Sequence, residues 1–148
     1  MNSLVDPAFI EQLYRASQAG VKIELLVRGS CCLRPGIPRV SENIQVTSIV
    51  GRFLEHSRIY YFHNGGNEEI YLGSADLMPR NLNRRVEVLF PLQDPKLMRR
   101  VFDEILAIYR RDTVKGRRMQ SDGTYMRHKT PGEKKPVSAQ AWLLRKSV

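Results

Sequence analysis

The sequence predicts an α/β (α+β) fold, and three features carry that reading. A proline-started amphipathic helix near the beginning runs directly into a mostly apolar strand, the pattern of an α/β unit. Two stretches rich in β-formers flank Asn64-Gly65-Gly66-Asn67, a strong turn signal, and imply an antiparallel hairpin. A second helix opens at Asp94-Pro95. The 148 residues suffice for one compact domain with a real core and are too few for two, so residues 1–148 are read as a single domain.

In chain order, Asp6 caps the first helix and Pro7 takes its first position, with Phe9, Ile10, Leu13 and Tyr14 at helical spacing. Gly20 stands where the helix end wants a positive φ. Lys22–Val27 is a strand, and Arg28–Glu42 is a loop broken by Gly29, Pro35, Gly36 and Pro38. Ile49, Val50, Phe53 and Leu54 fit a short amphipathic helix over Thr47–Leu54. Ser57–Phe62 and Glu69–Gly73 form the hairpin, and Arg85–Pro91 is a further strand. The helix after Asp94 carries Leu97, Met98, Val101, Phe102, Ile105, Leu106 and Tyr109 as its apolar positions. Ser121-Asp122-Gly123-Thr124 turns between two basic strands, Thr130–Pro136 is a polar connector, and Ser138 caps a last helix through Lys146.

Charge is unevenly placed. Residues 1–90 hold ten Lys/Arg and nine Asp/Glu, whereas residues 91–148 hold fourteen and six, so the excess of +9 belongs almost wholly to the C-terminal part. This basic subregion, about 112–148, is either a solvated face or a surface that attracts a polyanion: nucleic acid, anionic lipid or a phosphate polymer. No stretch approaches the run of about 20 apolar residues that spans a bilayer, and the N-terminus does not read as a signal peptide. Cys31 and Cys32 are adjacent and ill-placed to bridge each other, which suits a reducing, cytoplasmic compartment. No zinc-ligand spacing occurs, and no metal site is expected.

Turn chemistry gives the hairpin a register. Centring the turn on Gly65-Gly66 sets Phe62 opposite Glu69, Tyr60 opposite Tyr71 and Arg58 opposite Gly73. His56 then falls beside Ser74, Ala75 and Asp76, so a cluster of His56, Arg58, Ser74 and Asp76 is expected. Histidine can donate to a phosphoryl oxygen, exchange a proton or act as a nucleophile, and arginine offers a fork of donors that matches phosphate. Arg80, Arg84 and Arg85 follow, and Arg28, Arg34 and Arg39 lie on the earlier loop. These residues alone point to an anion or phosphate site without specifying a reaction.

His56-Ser57-Arg58 with Gly73-Ser74-Ala75-Asp76 resembles the HxK…GSxN half-motif of the phospholipase D superfamily, in which two half-motifs from similar domains share one site. Arg58 stands for the lysine, Asp76 for the asparagine, and His63 where that family has an aspartate, departures that argue against phosphodiesterase chemistry. Longer stretches resemble the last domain of the ATP-dependent, polymerising polyphosphate kinase family. They are Val27–Gly36, Ser41–Ile44, Ser48–Arg58, Gly73–Leu82 and Asn83–Pro91, within a dense resemblance over about residues 20–92. The resemblance implies a phospholipase-D-like domain with a mixed central sheet flanked by helices.

It also implies reversible transfer of the terminal phosphate of ATP to polyphosphate. Carried onto this chain, Arg28 and His56 would contact the ATP phosphates, with His56 in a supporting catalytic role and Arg58, Ser74 and Arg80 as further phosphate contacts. The histidine that becomes phosphorylated, and the Mg2+ ligands expected for the full enzyme, would lie in a preceding domain. Only one half-motif is present, so the chain is expected to be a fragment that folds alone without making polyphosphate. Expected partners are ATP, polyphosphate and the rest of the kinase chain, with a homo-oligomer in full length. Peripheral membrane association is compatible with the charge, and nucleic acid is disfavoured. Two other functions compete: a non-catalytic polyanion-binding module, and a phospholipase-D-like phosphodiesterase or nuclease acting as a dimer. If the basic subregion lines a polyphosphate path, neutralising Lys115, Arg117 and Arg118 together should weaken binding.

Overall fold

A computed structural model describes residues 1–127 and 135–146. Most of the connector expected over residues 130–136 lies outside the described residues. Helix α1 spans Pro7–Gln18; the Asp6 carboxylate accepts from the Phe9 amide, and Gly20 takes φ 88° as the chain leaves. Strand β1, Ile23–Leu26, runs parallel to β2, Ile44–Ile49. The β-hairpin follows as β3, Arg58–Phe62, and β4, Glu69–Gly73. After α2, Pro79–Arg84, comes β5, Leu89–Pro91. One continuous helix comprises α3 (Pro95–Arg99), a π-helical stretch (Arg100–Leu106) and α4 (Ala107–Arg110). Strands β6, Gly116–Met119, and β7, Tyr125–Arg127, precede α5, Ala139–Lys146.

The strands form two sheets rather than one central sheet. The first is mixed, in the order β1-β2-β6-β7; the second is antiparallel, in the order β3-β4-β5. Core residues Leu4, Ile10, Val27, Leu33, Ile44, Val46 and Leu77 pack between α1 and the first sheet. Leu4 bridges Cys31 on one side and Leu77 on the other, tying the long loop to the end of the hairpin. Cys31 and Cys32 are both free thiols.

The hairpin register is as expected, with Phe62 opposite Glu69, Tyr60 opposite Tyr71 and Arg58 opposite Gly73. The turn is not a two-residue one: the ladder ends at Phe62, and Asn64–Gly66 form a short 3-10 turn.

The helix expected over Thr47–Leu54 is a correction. That stretch begins inside β2 and continues as loop. Lying between β1 and β6, β2 buries Ile44, Val46, Thr47 and Ile49 on both of its faces. A two-sided strand reads as a near-continuous apolar run, which helical spacing can mimic. Val50, Phe53 and Leu54, taken for its apolar face, are exposed. The strand expected from Arg85 forms its ladder only from Leu89, because Glu87 is drawn to Ser74 and Asn81. Helix α2 was not foreseen, although Pro79 at its start is a signal for one.

Candidate functional site

The site forms where the loop after β2 enters β3. Arg58 and Asp76 are both buried residues, 7 % and 3 % exposed. Arg58 Nε donates to Asp76 Oδ1 at 3.1 Å and Nη2 donates to Oδ2 at 2.9 Å, a bidentate ion pair. Asp76 Oδ1 also accepts the amides of Asn2 and Ser3 at 2.8 and 3.2 Å. Burial works against the charge on Asp76. The Arg58 hydrogen bonds, the two amides and the guanidinium charge outweigh it and hold the carboxyl below its ordinary value.

The remaining nitrogen of Arg58 sets the orientation of His56. Nη1 lies 2.7 Å from His56 Nδ1 and donates to the His56 carbonyl at 2.8 Å. A guanidinium nitrogen can only donate, so Nδ1 must accept and the ring proton sits on Nε2. The exposed imidazole therefore offers Nε2–H as a donor, and neither ring nitrogen keeps a free lone pair.

Arg28, at the end of β1, donates from Nε to the carbonyl of Glu55 at 2.7 Å, which places it against the residue preceding His56. The Glu55 carboxylate accepts from the Tyr109 hydroxyl at 2.5 Å. Burial, reinforced by the hydrogen bond and charge of Glu55, pushes that phenol well above its usual range, so it remains a donor. Farther back on the loop, Gln140 of α5 clamps Phe53 by accepting its amide at 3.0 Å and donating to its carbonyl at 2.8 Å.

The expected cluster is thus only partly assembled. His56, Arg58 and Asp76 come together, and Arg28 joins them through Glu55. Ser74 turns away: its hydroxyl donates to Glu87 and accepts from the Val88 amide at 3.0 Å. Arg80 lines a shallow depression with Pro79, Asn83 and Arg84 and makes no contact with His56 among the described residues. The residues sequence reasoning missed are Glu55, Tyr109 and Gln140. Tyr109 was legible only as an apolar helix position, and nothing local marks Gln140.

Residues 1–140 match the family model described as polyphosphate kinase C-terminal domain 2. The chain belongs to that family. It is 58 % identical over 146 residues to the polyphosphate kinase of Pseudomonas aeruginosa, covering 99 % of this chain and 21 % of that protein. It is 53 % identical over 148 residues to the polyphosphate kinase of Staphylococcus haemolyticus, covering 100 % of this chain and 20 % of the relative. A crystal structure of polyphosphate kinase from Porphyromonas gingivalis superposes with a TM-score of 0.92 at 50 % identity, over 99 % of this chain and 22 % of that one. The chain therefore spans about a fifth of the length of the relatives it matches.

In this polyphosphate kinase domain the loop bearing His56 depends on a close approach that only glycine permits. A Cβ on Gly51 would collide with the side-chain amide of Gln140. Gly51→Ala is expected to expel the Gln140 amide from Phe53 and cost about 1–3 kcal/mol. Gln140→Ala should cost a similar amount, and the double variant no more than Gln140→Ala alone. A urea-denaturation double-mutant cycle measures the coupling; strictly additive costs would disprove it.

Proposed function

We propose that this chain supplies the nucleotide side of a polyphosphate kinase active site, which reversibly transfers the terminal phosphate of ATP to polyphosphate. The observation that carries the reading is that Arg28 Nε holds the carbonyl of Glu55, the residue before the exposed His56, whose Nε2–H is left to donate. Arg58 dictates the tautomer, and the Nη groups of Arg28 have no acceptor among the described residues. A guanidinium fork and an imidazole N–H held on the same loop suit phosphoryl oxygens. Phosphoryl transfer depends more on positioning and charge stabilisation than on covalent chemistry from the protein. Arg58 and Ser74 then act by positioning, through His56 and through Glu87, rather than as phosphate contacts. Arg80 is the outlying candidate for a contact farther along the substrate.

With its Nδ1 lone pair held by Arg58 and its Nε2 protonated, His56 is not set to attack phosphorus, and the phosphorylated histidine is assigned in this reading to a preceding domain. Mg2+ requires oxygen ligands, whereas Arg28 and His56 present only N–H donors. The site does not fit the ion, and no step here passes through it. Among the described residues no group of three or more His, Cys, Asp or Glu could hold a metal, and no helix is long and apolar enough to cross a membrane. Free adjacent thiols support a cytoplasmic setting.

The phosphodiesterase reading loses support for a physical reason. Lysine and asparagine in that half-motif would leave a free cation, but arginine and aspartate neutralise each other in a buried pair. The test is single-turnover labelling with γ-labelled ATP in a full-length kinase carrying this chain as its last domain. The label is expected outside this chain and to persist, more slowly acquired, in His56→Ala. Label recovered on His56 would overturn the assignment.

A further inference from the structure

We propose that Tyr109 is a positioning residue for the nucleotide side: its hydroxyl holds the Glu55 carboxylate away from Arg28, so that the Arg28 guanidinium stays open to a phosphate. The inference rests on the nucleotide-side reading above and adds the device that keeps its cation free.

Glu55 offers two kinds of acceptor, and they go to different donors. Its main-chain carbonyl takes Arg28 Nε at 2.7 Å, whereas its carboxylate takes the Tyr109 hydroxyl. The residue therefore stands against the guanidinium with its backbone while its charged end is held elsewhere. Simple electrostatics favours the opposite arrangement. Arg28 and Glu55 are both half-buried, so their charges attract more strongly than in open water, and the arginine fork matches a carboxylate bidentately. Because the Glu55 carbonyl already touches the guanidinium, its side chain, once released, can turn toward the same group by rotation about its own bonds. Yet Arg28 pairs with no carboxylate among the described residues.

Arg58 shows the fate that Arg28 escapes. Asp76 takes its Nε and Nη2 bidentately, and Nη1 is spent on His56, so no fork is left for a ligand. The two arginines differ in what occupies the neighbouring acid. A neutral hydroxyl is the suitable holder for Glu55, because it engages the carboxylate without adding a second cation to the loop. Burial first, then the hydrogen bond and charge of Glu55, push the phenol well above its usual range, so it keeps its proton and goes on donating.

Tyr109 is fixed from its own side. It lies in α4 between Ile108, which is buried, and Arg110, whose Nε pairs with Glu24 Oε2 of β1 at 2.6 Å. These neighbours anchor the helix to the sheet independently of Glu55. The hydroxyl is thus a stationary donor, and the Glu55 side chain is the part that would move if it were removed.

The test reads KM for ATP and kcat in a full-length kinase carrying this chain, with Y109F, E55Q, Y109F/E55Q and R28Q. Y109F alone is expected to raise KM about three- to fivefold, the worth of a partly exposed ion pair that competes with the nucleotide, with a smaller fall in kcat. In the E55Q background the same Y109F change should leave KM unaltered, because a neutral amide cannot neutralise Arg28. Glutamine still accepts from the Tyr109 hydroxyl, so a tyrosine that merely braces the loop would cost as much in the E55Q background as in the parent. That result would overturn the proposal, as would parental KM in Y109F. A second measurement does not involve ATP. Urea denaturation of this chain through the R28Q and E55Q cycle should show little coupling with Tyr109 present and a clear favourable coupling in Y109F, where the pair has formed. If R28Q leaves KM for ATP at the parental value, the nucleotide-side reading fails. The coupling then decides alone: its gain in Y109F upholds the role of Tyr109, and its absence overturns it.

Discussion

Replacing Asp76 with asparagine is expected to destabilise the domain by about 3–5 kcal/mol, the cost of removing one partner of a buried ion pair. Both side chains lie almost wholly out of solvent, 6 % and 4 % exposed, so surface screening offers Arg58 little relief. Asparagine keeps one acceptor for the Asn2 and Ser3 amides but leaves the guanidinium charge uncompensated in the interior. The pH dependence provides a second check with a definite sign. The folded-state pKa of Asp76 is depressed, so its contribution is full above the unfolded value of about 3.9 and is lost as pH falls through the folded value. The stability gap between the parent and Asp76→Asn should therefore be widest near neutrality and close in acid. A gap that stays constant down to acid pH would mean the carboxylate charge is not what stabilises. Replacing both partners with apolar residues of similar volume should restore much of the stability. It should not restore function, because His56 would lose the donor that fixes its tautomer.

Asp76 and Arg58 also show how far sequence reading reached. Turn residues fixed their proximity correctly, because hairpin register is a local property of the chain. Their chemistry was harder to read. A cation and a serine next to a histidine have the inventory of a phosphate site whether they face the ligand or each other, and only burial distinguishes the two. Arg58 is buried against Asp76, and Ser74 is engaged by Glu87 and Val88, which is why we propose both as supports rather than phosphate contacts. Strand β2 failed for a related reason: burial on both faces erases the period-two signal that separates strand from helix. Tyr109 and Gln140 reach the site across 54 and 87 residues of sequence, and such partners leave no local trace. Arg28 was one of three arginines on the early loop, singled out from them by resemblance, and the structure links it to the residue preceding His56 through the Glu55 carbonyl.

In a full-length kinase carrying this chain, His56→Ala is expected to lower kcat by about 10²–10³, the usual cost of deleting one preorganised donor to developing charge. The tautomer argument makes the series of replacements more informative than the single deletion. Glutamine can donate from its amide at roughly the reach of Nε2 and should recover part of the loss. Glutamate, which only accepts, should be at least as damaging as alanine. A nucleophilic or general-base histidine predicts the reverse order, because glutamine could serve neither role. Arg28→Lys keeps the charge but loses both the Nε contact to Glu55 and the fork toward phosphate, so it should raise KM for ATP and lower kcat together. Arg58 acts only by holding the ring, so Arg58→Lys should lower kcat with a smaller change in KM. If instead Arg58→Lys raises KM as strongly as Arg28→Lys, Arg58 contacts the nucleotide itself and the buried pair must open during turnover.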